Sequence, residues 1–159
     1  MRSSSVALRP TQLPDLAWFF RFQLDPAAAY LAAFTPPQPL DEAAYVAKYA
    51  AFLQDPTIHM QTMLVGDTIV GSIAKFEVAG EAELTYWLDR AYWGQGLATS
   101  ALRQFLRLER TRPLLARVAW DNVGSQHVLA NNGFVQINTD TGFAPARQAQ
   151  LEERIYQLS

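Results

Sequence analysis

The run WLDRAYWGQGLATSALRQFL, residues 87–106, sets Gly94 and Gly96 between a strand-like segment and a strongly helical one. A helix start leaves its first amides without intrahelical partners, and the macrodipole concentrates partial positive charge there. The first turn, GLATSALR, has no Asp or Glu to complement that charge, and the first acid after it is Glu109. The amides from Gln95 to Thr99 can therefore converge on a phosphate, with no side chain at Gly94 or Gly96 to block its approach. A strand-to-helix turn also uses glycine for geometry alone, so spacing leaves both an anion cradle and a plain turn open. A Walker loop is excluded, because no Gly-Lys-Ser/Thr follows. A dinucleotide fingerprint is closer: Gly94-x-Gly96 is followed by a helix, a strand and then Asp121, roughly where a ribose-binding acid would stand. Thr99 in the third glycine position, the five residues DRAYW before the loop and the mid-chain location count against it.

Other chemistry is limited by composition. Zero cysteines remove disulfides, thiolate metal sites and a cysteine nucleophile together. His59 and His127 are too few for a histidine-rich metal site and read as surface positions. A formal charge of −2 without blocks of like charge speaks against capture of nucleic acid or an anionic membrane, leaving small molecules or peptides as partners. No apolar run approaches the length of a bilayer, and MRSSSVALRPTQLPD lacks the apolar core of a signal peptide, so the expected location is the cytoplasm.

The elements that must position these groups fit one domain over residues 1–159, half of them apolar. SVALRP reads as a strand, and Thr11 or Pro14 with Asp15 opens a helix through LAWFFRFQL. The prolines at 36, 37 and 39 mark a loop. Asp41 caps a helix whose Ala44, Tyr45, Lys48, Ala51 and Phe52 share a face. IHMQTMLV, TIVGSIAKFEV and EAELTYWL form an antiparallel meander turning at Gly66-Asp67 and Gly80. A helix over 96–110 follows, with Leu97, Ala101, Leu102, Phe105 and Leu106 buried and Arg103, Gln104 and Arg107 facing away. Then come a strand (114–120), a short helix (123–132), a strand from Gly133 and a closing strand LEERIYQL. The fold class is α/β (α+β), a mixed sheet covered on both faces. The four tryptophans are expected mostly in the core.

AELTYWLDRAYWGQGLATSALRQFL resembles the acetyl-coenzyme A binding segment of the GCN5-related N-acetyltransferase (GNAT) superfamily, in the form of its ribosomal-protein N-terminal acetyltransferase-like branch. WDNVGSQHVLANNGF, at the family's usual distance, resembles its second segment, so the two span about residues 81–134. The resemblance implies a mostly antiparallel sheet with a splayed cofactor cleft. The family's Gln/Arg-x-x-Gly-x-Gly/Ala loop falls on Trp93, Gly94, Gln95, Gly96, Leu97 and Ala98, with Trp93 departing from the superfamily pattern and Thr99 completing the amide cradle. By similarity, backbone at Trp87 and Leu88 pairs with the pantetheine arm, and an amide there stabilises the developing oxyanion.

The activity implied is direct acetyl transfer from acetyl-CoA, a co-substrate, to a protein α-amine or a small-molecule amine in a ternary complex. Glu83, alternating with Thr85 and Trp87, matches an acidic position of the family and is the candidate base. Leu129 stands where many members carry a tyrosine acid. Asn122 and Ser125 match an Asn-x-x-Ser that contacts the cofactor near its sulfur, which makes Ser125 the candidate acid. Asn122 is equally an N-cap with Ser125 at N3. Trp18, Tyr30 and Phe34 are candidates for an acceptor pocket, with residues 22–40 and the loop 138–150 choosing the acceptor. Two other classes stay open, a non-catalytic acyl-CoA sensor and a dinucleotide-dependent oxidoreductase using Asp121. The chain is expected as a monomer or homodimer.

Overall fold

Two-residue turns with left-handed backbone fold the middle of the chain. Strands β2 (His59–Val65) and β3 (Thr68–Val78) meet at Gly66, φ 59°, and β3 meets β4 (Glu81–Leu88) through Ala79 and Gly80, φ 51° and 81°. Such turns match the right-handed twist of the flanking strands. The computed structural model describes residues 5–33 and 41–159; the proline cluster and Phe34 lie outside them. The full sheet, with β1 (Ala7–Pro10), β5 (Leu114–Ala119), β6 (Val135–Ala144) and β7 (Ala149–Leu158), runs in the order β1-β2-β3-β4-β5-β7-β6. Among the described residues only the central β4–β5 pair is parallel, and every other pair is antiparallel. This is the mixed, mostly antiparallel sheet expected from the sequence.

Helix α4 (Leu97–Leu108) crosses from β4 to β5 and, with α5 (Val123–Ala130), covers one face. Its Leu97, Ala101, Leu102 and Phe105 are buried against Met63, Ile73, Leu84 and Leu114. Gln104 does not face away: its amide donates to the Val6 carbonyl at 2.8 Å and fastens the helix to the N-terminal segment. The other face carries α1 (Leu16–Phe22) and α3 (Glu42–Leu53), which bury Leu16, Phe19, Phe20 and Tyr45 on Met60 and Ala74. Asp41 caps α3 as expected, accepting from the Ala44 amide at 3.0 Å. The packed face of α3 is Tyr45, Tyr49, Phe52 and Leu53, while Ala44 and Ala51 are exposed, because the larger side chains set the phase. Between α1 and α3, α2 (Pro26–Ala32) starts on Asp25, which accepts from the Ala27 amide. Among the described residues no helix is long and apolar enough to cross a membrane.

Two further expectations are corrected. Residues 138–150 are not a loop: β6 runs to Ala144 and the turn to β7 is short. As an edge strand exposed on both faces, β6 has no alternation to betray it, and its polar residues imitate a loop. The tryptophans are not core residues, since Trp18, Trp93 and Trp120 are exposed and Trp87 is half-buried.

Asp15, buried at the turn Leu13–Asp15 before α1, holds three elements together. It accepts two bonds from the Arg9 guanidinium on β1 (2.6 and 2.8 Å), one from the Gln12 amide and one from the Thr62 hydroxyl on β2. Burial alone would raise its carboxyl pKa, but these donors outweigh burial and hold it below the usual carboxylate range. Its stabilisation is therefore complete above the unfolded-state pKa and lost as pH falls through the lowered folded value. Asp15→Ala strands a cation and two donors, and urea denaturation is expected to show a loss of about 3 kcal/mol at neutral pH.

Candidate functional site

The central parallel pair exists over only two residue pairs, Ala82↔Leu114 and Glu83↔Leu115. Beyond them β4 stays on β3 to Gly71↔Leu88, and β5 stays on β7 to Ala119↔Glu153, so the sheet forks. Which groups face the fork follows from the alternation of bonded pairs in an antiparallel ladder. The Asp89 amide donates to the Val70 carbonyl at 2.7 Å, which makes Trp87 and Ser72 a bonded pair and turns the Trp87 backbone toward β3. Tyr86 and Leu88 point their backbone groups into the fork. The Leu88 carbonyl accepts from the Trp93 indole at 2.8 Å, leaving the Leu88 N–H and both Tyr86 groups directed into it. At Gly71 a Cβ would collide with the Trp87 carbonyl oxygen, so glycine is required where β3 passes the tip of β4.

The glycine loop stands at the mouth of this fork. Gly94 and Gly96 both have φ 76°, no side chain caps α4, and no acid stands in its first turn. A Cβ at either glycine would meet nothing within 4 Å, so conformation requires glycine there and the adjoining space is free. Opposite, Asn122 caps α5 by accepting from the Ser125 amide at 3.3 Å, and its own amide donates to the Leu31 carbonyl, tying α5 to α2.

These walls enclose a cleft of about 460 Å³. Of the candidate residues, Trp87, Leu88, Trp93, Gly94, Gly96, Leu97, Ala98, Thr99, Asn122 and Ser125 line it; Gln95 is exposed outside the lining and Glu83 stands below it. Among the described residues no Asp, Glu, Lys or Arg lines it. A smaller cavity of about 120 Å³ fills the fork, and a third, about 100 Å³, lies on the opposite face of the sheet beneath α1 and α3. Tyr86 and Trp87 line all three, so the cavities converge on one dipeptide.

The sequence reading missed Tyr86. Its hydroxyl lies 2.6 Å from the Ser125 hydroxyl across the fork. Burial pushes its pKa up to about 12, opposed by the Ser125 bond, so the phenol keeps its proton at neutral pH. Leu129, the position scanned for a tyrosine, is buried in the core. Glu83 sits at the root of the fork, 3.5 Å from the Arg117 Nε, and Arg117 also reaches Glu153 at 3.6 Å. Burial raises the Glu83 carboxyl above its ordinary value despite Arg117. Asp121, the ribose-binding candidate, is held in two bonds by Arg147 at 2.6 and 2.8 Å. Of the acceptor-pocket candidates, Trp18 is exposed under Arg21 and Tyr30 packs on Arg147, so neither lines the third cavity. His127 is exposed at the cleft, and His59 bonds Glu109 and Gln61.

Residues 5–135 match the acetyltransferase (GNAT) domain, and the chain belongs to that family. No curated protein sequence matches it. Solved structures share the fold at low identity. An N-acetyltransferase from Staphylococcus aureus Mu50 superposes with a TM-score of 0.82 at 16% identity, over 97% of this chain and 98% of that one. Mycobacterium smegmatis RimJ in complex with CoA-disulfide gives 0.79 at 20%, over 96% and 81%. Spermidine N-acetyltransferase from Vibrio cholerae, in complex with CoA and spermine, gives 0.78 at 14%, over 96% and 95%.

Gly96→Ala puts a side chain on left-handed backbone in open space. Urea denaturation is expected to show a loss of about 1–2 kcal/mol with the fold retained by circular dichroism.

Proposed function

We propose that the chain is a single acetyltransferase domain that transfers the acetyl group of acetyl-CoA directly to an amine within a ternary complex. The observation that carries this reading is the convergence of three cavities on Tyr86-Trp87, at a fork whose mouth is an uncapped helix start. The residues present fit the co-substrate: the amides of Leu97, Ala98 and Thr99, with Gly94 and Gly96, would hold its pyrophosphate, and Gln95 borders the loop from solvent. Trp93, fixed on the Leu88 carbonyl, closes the cleft, and the backbone of Tyr86 and Leu88 would pair with the pantetheine amides. Bound there, acetyl-CoA supplies an activated acyl carbon.

The chain's own groups then have defined tasks. The Tyr86 N–H, deeper in the fork than Leu88, would stabilise charge on the acyl oxygen, leaving the Leu88 N–H and the Tyr86 carbonyl for the pantetheine. As the amine nitrogen bonds to the acyl carbon and the carbon–sulfur bond breaks, the amine proton passes through water to Glu83. Glu83 is three residues from Tyr86, about 10 Å along the strand, so that transfer is not direct. Ser125 protonates the departing sulfur, Tyr86 returns a proton to Ser125, and solvent water reprotonates Tyr86 as the products leave. The branch resemblance favours an α-amine as acceptor.

Calorimetry is expected to show micromolar binding of acetyl-CoA and none of NADH; NADH binding without acetyl-CoA would contradict the reading. Tyr86→Phe is expected to lower kcat about 100-fold with acetyl-CoA affinity retained. Because burial raises the Glu83 pKa, the rate should climb with pH through that elevated value. Glu83→Gln should abolish this acidic limb in a pH–kcat profile.

A further inference from the structure

Strand register at the root of the fork puts one arginine between two carboxylates. Glu83 pairs with Leu115 in the last parallel pair, and Glu153 pairs with Ala119 on the antiparallel side. Arg117 lies between Leu115 and Ala119 on the same face of β5, so each glutamate is its diagonal neighbour, within reach of a long side chain. Phe76 and Ala74, the β3 partners of Glu83 and Thr85, identify this face as the one beneath α1 and α3. The guanidinium is divided: its Nε stands 3.5 Å from Glu83 and its Nη1 3.6 Å from Glu153. Both separations exceed a close charge-assisted bond, unlike the two bonds of 2.6 and 2.8 Å that Arg147 makes to Asp121.

That division matters for proton affinity. Asp121 receives both bonds of its arginine, and they hold its carboxyl below the ordinary range. Burial raises both Glu83 and Glu153, and the attraction of the shared Arg117 does not offset it. Like charge adds to the effect: Glu81 on β4 acts on Glu83, and Asp140 on β6, directly opposite Glu153, acts on Glu153. On β3 Glu83 meets Phe76, and α3 brings Tyr45 and Tyr49 to the cavity beside it, both neutral because burial raises their phenols.

Arg117 also lines the cavity of about 120 Å³ that fills the fork, with Thr85, Tyr86 and Ser125, whereas Glu83 lies outside that lining. A polar cavity of that size has room for the water that must carry the acceptor's proton to Glu83. The guanidinium stands where that space meets the base. We propose that Arg117 and Glu153 are positioning residues for Glu83: the guanidinium fixes the base at the edge of the fork cavity, and Glu153, by claiming a share of that guanidinium, leaves Glu83 able to take up the acceptor's proton. This inference rests on the acetyl-transfer reading with Glu83 as base. Undivided, Arg117 would hold Glu83 as a satisfied anion and weaken it as a base.

The test follows the Glu83 side-chain carboxyl by carbon NMR across pH in glutamate-labelled protein, its signal assigned with Glu83→Gln. Arg117→Gln should move that titration about one pH unit upward, and Glu153→Gln about as far downward. In the Arg117→Gln background, Glu153→Gln should move it by less than about half as much, because no guanidinium is left to release. Thiol release from acetyl-CoA with an alanine-initiated peptide supplies a second readout. The acidic limb of the pH–kcat profile should follow the carboxyl, so that kcat on that limb falls about tenfold in Arg117→Gln and rises in Glu153→Gln. A Glu83 titration unmoved by either substitution, or an equal effect of Glu153→Gln in both backgrounds, overturns the proposal. An acidic limb that survives Glu83→Gln overturns instead the reading of Glu83 as the base, whatever its carboxyl does.

Discussion

Everything in the site follows from how briefly β4 and β5 are joined. Two residue pairs hold the halves of the sheet together, after which each strand keeps its other neighbour and abandons this one. Backbone donors and acceptors need partners wherever they are buried, and a fork in a sheet supplies them in extended, ladder-like array. A ligand with amide groups of its own can complete the ladder as an added strand would. The crossover helix α4 must start just beyond the tip of β4, which sets its uncapped amides beside the fork, and α5 closes the far wall through the Tyr86–Ser125 contact.

Charge is kept out of the working surfaces. Among the described residues, no Asp, Glu, Lys or Arg lines the cleft or the cavity beneath α1 and α3. The ion pairs stand around them: Arg9 with Asp15 under β1, Arg147 with Asp121 beside α5, and Arg117 between Glu83 and Glu153 at the root of the fork. An anionic ligand would then be met by helix amides, whose partial charges need no desolvated counter-ion. Arg117 is the exception that reaches inward, since it lines the fork cavity while touching Glu83.

Much of this was legible in the sequence where the signal is local. The glycine pair, the meander, the stripe of α4 and the Asn122 cap each announce themselves within about ten residues, and each stands where periodicity and turn chemistry put it. What was hidden depends on partners distant in the chain. Tyr86 meets Ser125 across 39 positions, and Asp15 meets Thr62 across 47. The face chosen by the Trp87 ring follows from sheet pairing, and without it the acceptor pocket was sought on Trp18 and Tyr30, which α1 and α2 turn outward. Residues 138–144 read as loop because an edge strand with both faces in solvent has no hydrophobic period to display.

The most direct test of the fork as the acetyl-CoA site is amide hydrogen exchange, followed residue by residue with and without CoA. The account predicts new protection at Tyr86 and Leu88 and at Leu97, Ala98 and Thr99, with the Trp87 amide, already bonded to β3, little changed. Protection confined to other parts of the chain, or none at Leu88 while CoA is bound, would contradict it.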